Sequence, residues 1–270
     1  MDANHIDIDN YHDPDKTPGI SATGLIQILR SPAHFKAWTE QPPKETNSMI
    51  FGRALHCAVL EPNDFVKRFA AAPKVDKRTN AGKVAYADFV LAHPKSTVLD
   101  QDDYDKALAI AEKVRKHRTV ASFLLETAEI EGTLCWEDEK TGVLLKARPD
   151  IRLLSGRIID LKTCQDARVE AFSRNIFTYS YHVQLATYME GVRIVHGQHG
   201  KMPVIIAVEK EPPYAVSVFQ LDKVSIEIGH MEFRYAVNIY AECNRRDYWP
   251  SYPVDLQEIS LPAWAGREVG

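Results

Sequence analysis

Asp150, Asp160 and Lys162 are the residues whose types and spacing say most about chemistry. They sit in Arg148-Pro149-Asp150, nine intervening residues, then Asp160-Leu161-Lys162. Side chains alternate along a strand, so Asp160 and Lys162 share one face while Ile159 and Leu161 take the other, core-facing one. An acid and a base on an otherwise apolar strand cost roughly several kcal/mol to bury unless something compensates. A structural ion pair is one compensation, and Asp150 points to another. If a Leu154-Ser155-Gly156 loop joins two strands, Asp150 stands opposite Asp160 with Cβ atoms roughly 5 Å apart. A shorter Ser155-Gly156 turn would set Asp150 against Leu161, on the wrong face. Gly156 suits the left-handed position that the longer loop needs, so that loop is predicted. Facing carboxylates repel unless a cation lies between them. With the Leu161 backbone carbonyl as a third oxygen they make a hard-cation site suited to Mg²⁺ or Mn²⁺. One such ion or two would activate water and polarise a phosphate, and Lys162 can orient or help deprotonate the water and offset phosphate charge.

The elements that position these residues follow from pattern. Runs rich in branched and aromatic residues at 129–137, 143–148 and 157–163 are separated by Glu139-Lys140-Thr141-Gly142 and Leu154-Ser155-Gly156, which predicts an antiparallel meander. Ahead of it, one helix runs from the N-cap Ser21 through Leu25, Ile28 and Leu29 to Ser31-Pro32. Others cover about Ser48 to Glu61-Pro62, 81–91 and 102–117, the last with Leu108, Ala111 and Val114 inward and Lys113, Arg115 and Lys116 near its C-terminus. After it come a helical stretch at 167–190, strands at 203–209 and 214–221, a helix at about 222–246 and an irregular tail. The fold class is α/β (α+β), a central mixed sheet with an antiparallel meander flanked by helices. Residues 1–18 are polar and acidic without apolar period, so they are expected to form an extended, solvated N-terminal arm, with 19–270 as a single domain. A solvated tail is also the expectation for its His5 and His12.

With 270 residues, 45% of them hydrophobic, the chain can bury a substantial core. Its net charge of −4 requires any nucleic-acid contact to use a local basic surface. Cys57, Cys135, Cys164 and Cys243 form no C-x-x-C pair, which argues against a zinc ribbon or iron–sulfur cluster and for reduced thiols. No long apolar run and no signal-like start appears, so no membrane partner and a cytoplasmic location are expected. Lys77, Arg78 and Lys83 are candidates for phosphate contacts, or else a solvated basic loop. Val84 follows Lys83 where a Walker A loop needs Ser or Thr, so ATP is not expected.

The P-D, spacer, D-x-K arrangement resembles the PD-(D/E)xK nuclease superfamily. Two flanking motifs narrow the likeness: Gly52-Arg53-Ala54-Leu55-His56 on a helix before the strands, and Gln184 to Tyr188 on a helix after them. Taken singly, a helix histidine is usually structural, and the face shared by Tyr181, Gln184 and Tyr188 is usually core or interface. In this order, however, the set looks like the RecB-type branch. That resemblance implies that His56 joins Asp150 and Asp160 as a metal ligand, that Lys162 is catalytic, and that Gln184 and Tyr188 support the site or contact the DNA backbone. Tyr181 is a further candidate DNA contact. A histidine ligand favours Mn²⁺ more than an all-oxygen site does. Glu61 falls about 140° round the helix from His56 and reads as a cap or surface residue.

Within that branch the chain resembles the RecE-type (exonuclease VIII) nuclease domains and their phage-encoded relatives. The stretches that carry this are Gly19 to Thr23, Ser31 to Phe35, Gly52 to Pro62, Arg78 to Lys83, Tyr181 to Tyr188 and Leu261-Pro262-Ala263-Trp264. The resemblance implies a Mg²⁺-dependent 5′→3′ exonuclease that enters at double-stranded DNA ends and leaves 3′ single-stranded tails. It also implies a RecT-like annealing partner, a role in recombination of phage or prophage type, and a ring-shaped homotetramer threaded by DNA. An endonuclease on the same fold and a non-catalytic DNA-binding protein are the alternatives.

Overall fold

The computed structural model describes residues 8–261, so residues 1–7 and the Pro262-Ala263-Trp264 part of the closing motif lie outside the described residues. The first half of the chain carries α1 (Ile8–His12), β1 (Ile20–Ser21), α2 (Ala22–Arg30), α3 (Pro32–Glu40), α4 (Asn47–Leu60), α5 (Pro62–Arg68), β2 (Phe69–Ala71), α6 (Asn80–Ala92), β3 (Thr97–Leu99), α7 (Gln101–Lys116) and α8 (Arg118–Leu125). The second half carries β4 (Thr127–Ile130), β5 (Leu134–Glu137), β6 (Leu144–Ala147), β7 (Ile151–Leu153), β8 (Ile158–Cys164), α9 (Val169–Thr178), α10 (Tyr181–His196), β9 (Val204–Glu209), β10 (Val216–Gln220) and α11 (Lys223–Arg246).

The central sheet is mixed and ordered β10-β9-β8-β7-β4, with β8 and β9 parallel and the other neighbours antiparallel. Strands β8 and β9 are covered on both faces and are accordingly apolar on both sides, apart from Asp160 and Lys162 on one side of β8. Ile159 and Leu161 of β8 join Val204, Ile206 and Val208 of β9 in a core closed by α4, α5 and α7. Ile158 joins Ile205 and Ala207 in a second core closed by α2, α10 and α11. Each such fully buried side chain contributes about 1.5–3 kcal/mol. Local chemistry sets the helix ends. The Ser21 hydroxyl accepts from Gly24 N–H, Ser31 ends α2 and caps α3 ahead of Pro32, and Thr46 caps α4 by accepting from Met49 N–H.

The expected antiparallel run divides between two sheets. The β5–β6 hairpin belongs to a smaller sheet with β1, while β7–β8 belongs to the central one. The stretch 129–137 is not one strand: it breaks after β4, where Glu131 takes a positive φ of 47° and its N–H bonds to the Asp150 carbonyl. The stretch 167–190 likewise breaks, at Ser180 with φ 53°, into α9 and α10. On α7 the buried residues are Ala107, Ile110, Ala111 and Val114. Leu108, expected inward, is 43% exposed, because it lies about 100° round the helix from Ala107 and so off the face that Ala107, Ile110, Ala111 and Val114 bury.

Residues 8–18 are not an extended arm. They form α1 and a turn, with Tyr11 and Thr17 buried. The cause is Lys146 on β6, whose buried ammonium donates to the Tyr11 carbonyl at 2.8 Å and the Thr17 carbonyl at 2.7 Å. A buried cation must find acceptors, and the N-terminal backbone supplies them. The cysteines are free thiols, with Cys57, Cys164 and Cys243 buried and Cys135 exposed. Among the described residues no helix is long and apolar enough to cross a membrane.

Candidate active site

The β7–β8 hairpin has the register that the Leu154-Ser155-Gly156 loop predicts. Ile151 pairs with Ile159 and Arg152 with Ile158, Leu153 N–H donates to the Arg157 carbonyl at 2.9 Å, and Gly156 has φ 76°. Continued by one residue, this register sets Asp150 opposite Asp160. The ladder stops there for a covalent reason. The residue opposite Leu161 is Pro149, which has no N–H to give to the Leu161 carbonyl. The Leu161 N–H turns instead to Asp150 Oδ2, at 2.6 Å. The Leu161 carbonyl lies on the same strand edge as its N–H, so it is left facing the carboxylates.

His56 reaches this edge from α4, whose apolar residues Phe51, Leu55 and Val59 hold the helix against the sheet. Its Nδ1 lies 3.3 Å from Asp150 Oδ1. A third donor, Glu131, was not identified from the sequence. One ligand atom each from His56, Glu131 and Asp150 fall within 4.8 Å of one another. Glu131 belongs to no motif and lies where a strand was expected. The available signal was Glu129-Ile130-Glu131-Gly132, two acids at alternate positions ending on a glycine. Arg148 steadies it, with Nε 3.3 Å from Glu131 Oε2 and Nη1 donating to the Thr133 hydroxyl at 2.9 Å.

Asp160, on the face of β8 opposite Ile159 and Leu161, stands beside the triad rather than in it and is 2% exposed. Its Oδ2 forms an ion pair with Lys162 Nζ at 2.8 Å. The face is closed by α10. There Gln184 Nε2 donates to the Tyr188 hydroxyl at 2.8 Å, as their i, i+4 spacing allows, and Tyr188 is buried. Lys162 Nζ lies 4.9 Å from the centre of the Tyr181 ring.

Charge explains why these groups hold one another. Burial pulls the His56 imidazole down, but the Asp150 carboxylate outweighs it and raises its pKa to about 9. Burial opposes ionisation of Asp150, yet His56, Lys162 and the Leu161 N–H hold its carboxyl below the usual range. Asp160 is raised to about 6, by burial and by Asp150, against the pull of Lys162. Burial and Asp150 also raise Glu131. Despite burial, Asp160 and then Asp150 raise Lys162, which keeps it an ammonium. The cluster gathers three carboxylates round one imidazole, and so offers one nitrogen and several oxygens. Those are the properties of a divalent-cation site, and the residues fit one.

The other candidates lie elsewhere. Lys77 Nζ pairs with Asp100 at 2.6 Å and Arg78 with Asp76 at 3.0 Å, beside α6, where Lys83 is exposed. Glu61 caps the end of α4 and pairs with Arg68.

A family model described as a PDDEXK-like domain of unknown function (DUF3799) matches residues 21–258. A search of curated proteins returns no match. Among solved structures, a candidate exonuclease from Eubacterium rectale superposes with a TM-score of 0.62 at 11% identity, covering 98% of each chain. A second, SSO0001, reaches a TM-score of only 0.28 at 14% identity over 80% of this chain and 83% of that one, and carries no weight. At such identities a structural likeness speaks for fold alone. The family match spans most of the chain, and with the acid-rich strand edge it shows that the protein belongs to the PDDEXK-like family, with the fold of its nucleases.

Proposed function

We propose that the protein is a Mg²⁺-dependent exonuclease that digests linear double-stranded DNA from 5′ to 3′. The observation that carries the nuclease reading is the half-buried His56, Glu131 and Asp150 triad set beside the Asp160 and Lys162 pair at an interrupted strand edge. His56, Glu131, Asp150, Asp160 and the Leu161 carbonyl would hold the ion, which supplies Lewis acidity toward a phosphate oxygen and acidifies an attacking water. Lys162, held protonated, donates rather than accepts: it orients that water and offsets phosphate charge. Gln184 and Tyr188 fix the wall behind Asp160. Arg148 keeps Glu131 aimed at the site.

Polarity, the choice of DNA ends, a RecT-like annealing partner, a recombination role and a ring-shaped tetramer are supported by the RecE-type motifs. The same motifs support contacts of Lys77, Arg78, Lys83 and Tyr181 with DNA. The decisive experiment is digestion of linear duplexes labelled at the 5′ or the 3′ end, with Mg²⁺ and with chelator, beside covalently closed circles. Metal-dependent loss of the 5′ label first, with circles intact, is expected. Nicked circles would replace the exonuclease reading with an endonuclease, and equal inactivity of wild type and Asp160→Asn would leave a binding protein. Light scattering should give roughly 120 kDa, four times the 30.5 kDa chain, for the tetramer.

A further inference from the structure

Four aromatic rings run outward from the core to the mouth of the candidate site. Phe219 stacks on Phe172 at 5.2 Å, Phe172 meets Tyr181 at 6.3 Å, and Tyr181 stacks on Tyr179 at 5.6 Å with 29° between the planes. The inner rings are packed, whereas Tyr179 is 57% exposed and its neighbour Phe177 is 75% exposed. The alignment of Tyr179 with Tyr181 depends on Ser180. Its left-handed backbone, φ 53°, is uncommon for a residue with a Cβ, and its side chain makes no capping hydrogen bond in return. Burial does not explain the strained turn, because the ring that it aligns is left in solvent.

The ladder also touches the chemistry. Lys162 Nζ lies 4.9 Å from the Tyr181 ring centre and the Tyr179 ring is one stacking step beyond. A strand whose phosphate sits at Lys162 therefore has a neighbouring base within reach of the free face of Tyr179. Every nucleobase presents a π-face, and stacking on an exposed tyrosine needs no particular base edge. A base within a duplex has both faces occupied, so only an unpaired one can use the platform.

Resting on the nuclease reading above, we infer that Tyr179, backed by Tyr181, is a stacking platform for an unpaired nucleobase of the strand being cut. Ends that are frayed or carry a short overhang are then better substrates than blunt ends.

The test uses the full chain with duplexes carrying 2-aminopurine at the terminal position of the cut strand. Wild-type digestion of any linear duplex checks the nuclease reading by itself. Given that activity, Tyr179→Ala should raise KM about tenfold while kcat stays within about twofold, and Tyr179→Phe should restore KM. In the Asp160→Asn background, binding should change the 2-aminopurine fluorescence, and adding Tyr179→Ala should remove that change. Because Tyr179 is exposed, the alanine variant should melt as wild type does. An unchanged KM with Tyr179→Ala, or an altered oligomeric mass with unchanged KM, would overturn the platform and assign the ring to a protein interface.

Discussion

His56 and Asp160 are both shifted toward their protonated forms, and the sign of each shift fixes how the protein responds to pH. His56 rises from 6.5 to about 9, so its pairing with Asp150 stabilises the metal-free fold fully below 6.5 and is lost as pH climbs through 9. Asp160 rises from 3.8 to about 6, so its contribution is present below 3.8 and lost as pH climbs through 6. Both groups must give up protons to hold a cation, so affinity grows as pH rises. The upward shift in melting temperature on adding Mn²⁺ to chelated protein should therefore be larger at pH 9 than at pH 6; the opposite order would contradict the ligand assignment. Asp160→Asn should abolish digestion yet raise the chelated protein's melting temperature at pH 8 by about 3 °C or more, a gain that shrinks toward pH 4 where the carboxyl is already neutral. Glu131→Gln should weaken Mn²⁺ binding by about 10- to 100-fold in a calorimetric titration. Glu131 escaped sequence reading because its role depends on a left-handed turn and on an N–H bond to Asp150, neither of which a residue pattern encodes.

At the level of elements, the hairpin was legible because its determinants are local. Gly156 selects the loop, the loop selects the register, and the register places Asp150 opposite Asp160. Alternation in β8 was legible for the same reason. The division of the antiparallel run between two sheets was not, since strand partners are chosen by tertiary packing and β5 and β6 have a suitable hairpin whichever sheet they join. Pro149 also acts at this scale, by withholding one N–H from β8. Pro149→Ala would restore a donor toward the Leu161 carbonyl and let the ladder continue. The expected result is a metal-free melting temperature equal to or above that of wild type, with a smaller upward shift on adding Mn²⁺. A full metal response in that variant would show that the carbonyl is not a ligand.

At the scale of the whole molecule, the first described residues and the middle of the chain are one structure. Residues 11 and 17 could not be read as packed, because nothing in a polar, acidic stretch announces that its carbonyls will meet a lysine more than a hundred positions away. Deleting residues 1–17 strips both acceptors from Lys146 and uncovers the surface under Tyr11, at a cost of about 1–3 kcal/mol for each lost bond. Thermal melting should show a drop of several degrees, partly recovered when Lys146→Met is added, whereas an unchanged melting curve would restore the picture of a loose arm. Since Lys146 is held by main-chain oxygens, the exposed side chains of this segment are free to change so long as the backbone follows the same path. Among relatives, this part of the fold should therefore be inherited as a length and a trajectory anchored by one lysine, and comparison of letters alone would pass over it.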